Sequence, residues 1–168
     1  YETFGVNKRS LAIVGFQFDP SELDAVDVKD RGYFAIAGQP IIQKGVHLIA
    51  AVIAGLDPAI RVRISILDPL VAQHVISQFG WRDLVAEGRL EVVTGLKSRS
   101  DYLTFLAECR GLVLPTYYPT TGEFVLQEAL YLGKPVVAFD VGVHKDILRD
   151  GDNAMVARAG DVGGLAQR

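Results

Sequence analysis

Short runs of consecutive apolar residues alternate along the chain with segments whose apolar residues recur at helical spacing. Most of these runs are continuous, which is typical of strands that are buried on both faces. The pattern therefore predicts a mostly parallel sheet with helices on both sides. The strands are expected at residues 11–14, 33–37, 62–67, 90–94, 112–114, 135–139 and 154–157.

Capping residues mark the ends of the predicted helices. Asp68 followed by Pro69 is typical of an N-cap and a first helical position, and Gly80 ends the same helix. Ser98 and Asp101 have the spacing of a capping box before another helix. Further helices are expected from residue 45 to about 56 and from 123 to 132. This alternation predicts βαβ units, so the fold class is α/β, a Rossmann-like three-layer sandwich.

Composition and charge exclude several classes of protein. Of the 168 residues, 49% are apolar and 22% are charged, and the formal net charge is −3. These values exclude a disordered chain and a polybasic nucleic-acid-binding protein. No stretch approaches the ~18–20 apolar residues of a membrane span and no signal peptide is visible, so a cytoplasmic location is expected. The single cysteine, Cys109, is interpreted as a small buried hydrophobic residue.

The first 30 residues differ in character from the rest of the chain. Asp19, Pro20 and Ser21 precede a charged stretch over residues 24–30, which is typical of a linker. We therefore expect a linker over residues 1–30 that leads into a compact domain over residues 31–168. The chain starts without Met and stops inside a helical pattern, so we expect it to be part of a longer protein.

Lys44 lies in the first of three loops that follow predicted strands. In an open parallel sheet, ligands bind beyond the carboxyl ends of the strands, where such loops lead into helices. The loop covers residues 38–45 and places Lys44 beside a helix start, where backbone N–H groups and the helix dipole favour an anion such as phosphate. A solvated loop lysine is the alternative. The P-loop sequence is absent.

The second loop, residues 117–123, leads into the helix expected from residue 123. Thr120 and Glu123 are spaced as a capping box, which would use both side chains to cap that helix. The amide groups of residues 122–125 would still face outward, which suits a diphosphate, and Gly122 would let a ligand approach closely. Glu128 lies among apolar residues and needs a partner, either a ribose diol or a salt bridge.

The third loop, residues 140–146, contains His144. A lone histidine can serve in acid–base chemistry, but it is more often structural or solvated. His47, His74 and His144 fall in separate segments without the spacing of metal ligands, so no metal site is predicted.

Several segments match a known family in order and spacing. They are residues 13–20, 38–45, 113–116, 142–146 and 150–154, together with Glu128-Ala129 and Leu132-Gly133-Lys134-Pro135-Val136-Val137-Ala138, the most specific stretch. In these segments the chain resembles the C-terminal, donor-binding domain of retaining two-domain glycosyltransferases of the GT-B type (glycosyl transferases group 1). Bacterial mannosyltransferases and glycogen and sucrose synthases belong to that group. The resemblance extends over nearly the whole chain.

The resemblance implies a function. In the family, this domain holds the nucleoside diphosphate of an activated sugar, usually without an essential metal, and no cofactor is expected. The N-terminal domain, which is absent from this chain, holds the acceptor and any membrane contact. We therefore expect half of an enzyme of polysaccharide or glycoconjugate biosynthesis that transfers a sugar with retention at the anomeric carbon. The isolated half is expected to fold but to be inactive, because a cleft with one wall cannot exclude water.

The resemblance also implies site residues. Lys44 would bind the diphosphate, Glu128 would bind the ribose, and Leu96 would contact the base through its backbone. The candidate catalytic residues are Lys44 and Glu123. The candidate donor-binding residues are Gly38, Gln39, Lys44, Leu96, Thr121, Gly122, Phe124, Val125 and Glu128.

Two departures from the family pattern bear on this function. The family has two acidic residues eight positions apart, and the first position is Thr120 here, so that Glu123 could take its place. The arginine that accompanies the loop lysine is Gln39. Losing that cation would lower donor affinity on the order of ten- to a hundredfold unless another group compensates. The alternative is therefore a non-catalytic relative that binds nucleotide weakly or acts as an interaction subunit.

Overall fold

The fold is built on one parallel sheet. The computed structural model describes residues 19–167 of the chain. Its strands are β1 (Tyr33–Ile36), β2 (Arg61–Ser65), β3 (Leu90–Val93), β4 (Gly111–Leu114), β5 (Val136–Phe139) and β6 (Ala154–Ala157). They form a six-stranded sheet in the order β3-β2-β1-β4-β5-β6, and each neighbouring pair is parallel. The predicted α/β class is confirmed.

Helices connect the strands and cover both faces of the sheet. They are α1 (Ile49–Ala54), α2 (Pro69–Gln78), α3 (Arg82–Ala86), α4 (Arg99–Ala107), α5 (Phe124–Tyr131), α6 (His144–Ile147) and α7 (Val162–Ala166). The strand order reverses between β1 and β4, so the loops that follow these two strands diverge and leave a crevice at the carboxyl edge of the sheet.

Local sequence signals account for most of these elements. The Asp68 carboxylate accepts hydrogen bonds from the amides of Leu70 and Val71, and Ser98 begins α4 with a complete capping box. Six predicted strands are confirmed to within two residues at each end, and the predicted strand at 11–14 lies outside the described residues. The helix expected from residue 45 is shorter than predicted. Two 3-10 turns, Ile42–Lys44 and Val46–Leu48, precede α1 because Gly45 adopts a left-handed conformation between them.

Two apolar clusters form the core, one on each face of the sheet. On one face Ala35 of β1 and Leu112 of β4 pack against Leu106 and Leu126 from the helices. On the other, Ile36 and Val113, their neighbours along the same strands, pack against α1 and α2. Successive strand residues point to opposite faces, so both faces of each central strand are apolar, as the continuous runs predict.

Cys109 lies within the first of these clusters and is buried. Burial raises the pKa of its thiol to about 11, so the thiol stays protonated near neutral pH. Its predicted place in the core is confirmed.

The described part of the predicted linker packs against the domain. Leu23 is buried in the first apolar cluster. The amides of Lys29 and Arg31 donate to the carbonyl groups of Ala107 and Glu108. No helix or strand is formed between residues 19 and 32. The domain boundary at residue 31 stays a prediction.

Across residues 19–167, no helix combines the length and the apolar character that crossing a membrane would require.

Candidate functional site

A groove of about 560 Å³ lies at the carboxyl edge of the sheet. The loops after β1, β2 and β4 and the start of α5 line it. A larger groove of about 870 Å³ lies near the amino ends of β2, β4 and β5, and its walls are mostly apolar. The smaller groove is the stronger candidate site, because charged side chains and a helix N-terminus meet there.

The loop after β1 brings Lys44 to this groove. Gly45 has a φ of 78°, and a Cβ atom at this position would lie 2.0 Å from the carbonyl oxygen of Pro115. The absence of a side chain therefore lets the loop after β1 press directly onto the loop after β4. This contact sets Lys44 opposite Glu123, and the Lys44 ammonium group contacts Glu123 Oε1.

Glu123 is the residue before the first turn of α5, and its carboxylate is buried. Oε1 also accepts a hydrogen bond from Thr116 Oγ1 at 3.0 Å, and Oε2 lies 3.0 Å from His144 Nε2. The predicted capping box is wrong, because Glu123 itself is the N-cap and its side chain makes no capping bond. Lys44, Thr116 and His144 hold the Glu123 carboxylate away from the backbone N–H groups of α5. The Thr120 hydroxyl does not cap the helix either, because it donates to the Gly122 carbonyl oxygen.

His144, the first residue of α6, approaches Glu123 from the segment that follows β5. Its Nδ1 lies 2.8 Å from the carbonyl oxygen of Phe139, and the whole side chain is buried. Gly142 permits this approach. It has a φ of 47°, and a Cβ atom there would lie 2.4 Å from the backbone nitrogen of Thr120. The Val143 amide donates to the Thr120 carbonyl at 2.9 Å, so the second and third loops are joined through their backbones.

Opposing effects act on the Glu123 carboxyl. Burial alone would raise its pKa, but hydrogen bonds from His144 and Lys44, and their positive charges, outweigh that effect and hold the pKa below the ordinary value. Glu123 is therefore a carboxylate at neutral pH. The site contains a buried negative charge beside a lysine that is about one-third exposed.

Glu128 forms a second buried network. Its Oε1 lies 2.5 Å from Arg99 Nη2, and its Oε2 accepts a hydrogen bond from the Tyr102 hydroxyl at 2.9 Å. Of the two partners considered for it, the structure contains the salt bridge. Burial and the nearby carboxylate raise the pKa of the Tyr102 phenol, so the phenol keeps its proton for this bond. Tyr102 lines the groove, whereas Glu128 lies behind it.

The structure brings most of the predicted site residues to the groove. Leu96 is instead partly buried against the first apolar cluster, and Thr121 is exposed outside the groove lining. Their predicted contacts with a ligand, and that of Glu128, stay predictions. The predicted site residues that line the groove are Gly38, Gln39, Lys44, Gly122, Glu123, Phe124 and Val125.

Two residues at the centre of the site were not predicted as site residues. Thr116 lies two residues after the end of β4, and this position at the carboxyl edge of the sheet is the sequence signal for it. His144 was considered for acid–base chemistry, but no local pattern connects it with Glu123, because the connection runs through the packing of two loops. Within residues 19–167, no three His, Cys, Asp or Glu side chains are grouped as a metal site would require.

Solved structures share this fold. HepE from Anabaena, crystallised with UDP and glucose, is 20% identical with a TM-score of 0.69, and the match covers 89% of this chain and 42% of HepE. The lipopolysaccharide outer core galactosyltransferase WaaB, in its apo form, is 16% identical with a TM-score of 0.72, covering 99% of this chain and 47% of WaaB. The catalytic domain of starch synthase IV from Arabidopsis thaliana, bound to ADP and acarbose, is 19% identical with a TM-score of 0.64, covering 82% and 29%.

The chain thus spans less than half the length of these three proteins. At such identities the similarity establishes the fold alone. No curated protein matches the chain by sequence. The family described as "Glycosyl transferases group 1" matches residues 31–168, which is most of the chain. With a Rossmann-like sheet and that match, the chain belongs to the glycosyl transferases group 1 family.

Proposed function

We propose that this chain is the donor-binding half of a retaining glycosyltransferase. It would bind a nucleoside-diphosphate sugar, and an N-terminal domain of the longer protein would hold the acceptor. One observation carries the proposal: Lys44 and the N-terminus of α5 face the same groove at the carboxyl edge of the sheet. A lysine and a helix start together are suited to a diphosphate.

The leaving diphosphate is where such a site would act on the reaction. Breaking the bond between the sugar and the diphosphate places extra negative charge on the phosphate oxygens. Lys44 and the backbone N–H groups at the start of α5 would stabilise that charge without having to reorganise. Glu123 would keep Lys44 aimed at the groove, because the ammonium group is already bound to its carboxylate.

The ligands of similar structures favour a nucleoside diphosphate. HepE was crystallised with UDP-glucose as well as with UDP, and the starch synthase with ADP. In this chain the base would lie near Leu96 and the ribose near Glu128, with Tyr102 between that carboxylate and the groove. The phosphates would lie against Gly38, Gln39 and the segment 121–125. We propose no essential metal, a cytoplasmic enzyme, and a linker that ends at residue 30.

A non-catalytic relative is the second candidate function. Gln39 lines the groove where the family pattern has an arginine, and Thr120 stands where it has an acidic residue. The Thr120 hydroxyl is bonded to Gly122 and carries no charge. A protein with this site would bind nucleotide weakly or act as an interaction subunit. If Gln39→Arg with Thr120→Glu created donor hydrolysis in a silent full-length protein, this candidate would be supported.

Calorimetric titration of the chain with UDP, GDP and ADP, with and without magnesium, tests the proposal. We expect one nucleotide to bind with a Kd in the micromolar to low-millimolar range and Lys44→Ala to weaken it at least tenfold. Lys29→Ala is the matched control, because Lys29 pairs with Asp27 on an exposed surface outside the groove. A folded chain that binds none of the three nucleotides would contradict the proposal and favour the second candidate.

A further inference from the structure

The buried His144 ring has a hydrogen-bond acceptor at each of its two nitrogens. Nδ1 lies 2.8 Å from the Phe139 carbonyl oxygen, which can only accept. Nε2 lies 3.0 Å from Glu123 Oε2. A neutral imidazole has one N–H group, so it would turn an unprotonated nitrogen towards an oxygen lone pair at one of these contacts. Two N–H groups satisfy both contacts.

The second proton belongs to the ring and not to Glu123. The other carboxyl oxygen, Oε1, receives the Lys44 ammonium group and the Thr116 hydroxyl, and both stabilise the carboxylate form. The pKa of Glu123 is lowered despite its burial. His144 is fully buried, and water therefore does not replace either partner of its ring.

The protonation of His144 decides the net charge of the site. With a neutral ring, the charge of Lys44 would be cancelled by Glu123, and the floor of the groove would be neutral. With an imidazolium, two positive charges face one carboxylate, and one positive charge is left over. Gln39 supplies no cation to the same groove.

We propose that His144 is held as an imidazolium that neutralises Glu123 and leaves the charge of Lys44 available to an anionic ligand. The charge follows from the geometry of the ring, whereas the diphosphate as the ligand rests on the function proposed above. His144 does not line the groove, so it is a positioning residue that acts through Glu123.

Few charged groups surround the ring. Glu123, from the residue before α5, contacts it directly, and Lys44 lies on the far side of that carboxylate. Lys145, the next residue of α6, lies 3.8 Å from Asp140 of the preceding loop, and both are more than half exposed, with Asp146 one residue further on also exposed. The charge of the ring therefore acts mainly on the pair formed by Glu123 and Lys44.

The protonation state is measured directly by NMR of the chain labelled with ¹⁵N-histidine. We expect the His144 signals to show two N–H groups at pH 7, with the resonances assigned by comparison with His144→Gln and the exposed control His74→Gln. This measurement needs no ligand and uses the unaltered side chain. A singly protonated His144 ring at pH 7 would overturn the inference.

Calorimetry with UDP at pH 7 tests the consequence for binding. His144→Gln keeps an N–H donor for Glu123 but no charge, and we expect it to weaken UDP about tenfold. An unchanged affinity in a folded His144→Gln chain would overturn the inference. If no UDP binds while the ring carries two protons, the proposed function fails and the imidazolium stands.

Discussion

Glu123 and Glu128 are buried carboxylates on the same short stretch of chain, yet they belong to different networks. Lys44, Thr116 and His144 reach Glu123 from three separate loops, and Glu123 lines the groove. Both partners of Glu128 come from the first turns of α4, and Glu128 lies behind the groove. Burial is similar at the two positions, so the origin of the partners distinguishes them.

The different partners of Glu123 and Glu128 give the two carboxylates different structural roles. A carboxylate tied to three loops at the carboxyl edge fixes the loops relative to one another and holds Lys44 at the groove. A carboxylate tied to one helix joins α4 to α5, and its partner Tyr102 lines the groove. We therefore expect the loss of a charged group around Glu123 to affect stability and phosphate binding together, and changes around Glu128 to act on the nucleoside.

Removing the Glu123 or the Glu128 carboxylate should have the largest effect on the free energy of unfolding. Glu123→Ala leaves the fully buried His144 without its counter-charge, and we expect it to lower the free energy of unfolding by roughly 3–5 kcal/mol. Glu128→Ala should cost roughly 1–3 kcal/mol, because the Arg99 side chain is 44% exposed and can turn to water. Urea unfolding measures both. Asp27→Ala, which breaks an exposed pair with Lys29, is the control and should cost under about 1 kcal/mol. Equal losses for the two buried carboxylates would contradict the comparison.

Lys44→Ala and Arg99→Ala should differ in the ligands that they affect. Lys44→Ala removes the proposed phosphate contact, so it should weaken UDP and pyrophosphate alike by at least about tenfold, and lower donor turnover by as much in the full-length protein. Arg99→Ala releases Glu128, so it should weaken UDP and leave pyrophosphate unchanged. Calorimetry with the two ligands on the isolated chain checks this. A loss of pyrophosphate binding in Arg99→Ala would show that the two networks are not separate.

Two hydroxyl deletions sharpen the comparison at a smaller scale. Thr116→Val and Tyr102→Phe each remove one hydrogen bond to a carboxylate that keeps its cation, so each should cost about 1 kcal/mol of unfolding free energy. Tyr102→Phe should in addition weaken UDP, because Tyr102 lines the groove and is bonded to Glu128, the proposed ribose contact. Thr116→Val should act on stability alone, because Glu123 keeps its contact with Lys44. If Thr116→Val weakened UDP and Tyr102→Phe did not, the ribose would lie beside Thr116 instead.

The last prediction concerns how stability changes below pH 7, where Glu123 takes up its proton. The folded pKa of Glu123 lies below its ordinary value of 4.5, so the unfolded chain binds the proton first as the pH falls. The stability that ionised Glu123 contributes is complete above that ordinary value and is lost as the pH falls through the folded pKa. Urea unfolding of the protein and of Glu123→Gln between pH 3 and 7 should give curves that converge at low pH. Parallel curves would contradict the lowered pKa.

The sequence predicted the fold better than the site, and particular residues show why. The strand at residues 135–139 and the cap at Asp68 depend on local patterns, and both are confirmed. Thr120 and Glu123 also had a local pattern, but the predicted capping box is wrong, because Lys44, Thr116 and His144 compete for the carboxylate. Spacing along the chain carries no information about partners that come from other loops.

His144 is a second residue whose partners could not be predicted from its spacing along the chain. Its segment has no sequence signal for a buried charge, and its partners, Glu123 and the Phe139 carbonyl, become neighbours through loop packing. The close approach at Gly142 is visible only once the backbone of Thr120 lies beside it. Lys44, by contrast, was found from its place after β1, because the carboxyl edge of a parallel sheet is a general location for ligands.

The parallel sheet also determines when the site can form. Parallel neighbours cannot be joined by a tight turn, so β1 and β4 pair only after the intervening chain with β2 and β3 has been accommodated. Lys44 and Glu123 are 79 residues apart, and their contact must await that pairing. Contacts over such distances are slow to form, because the loss of chain entropy precedes the gain. During refolding, ligand binding should therefore appear after the helical signal. Its appearance would indicate that the strands of the sheet have paired in their final order.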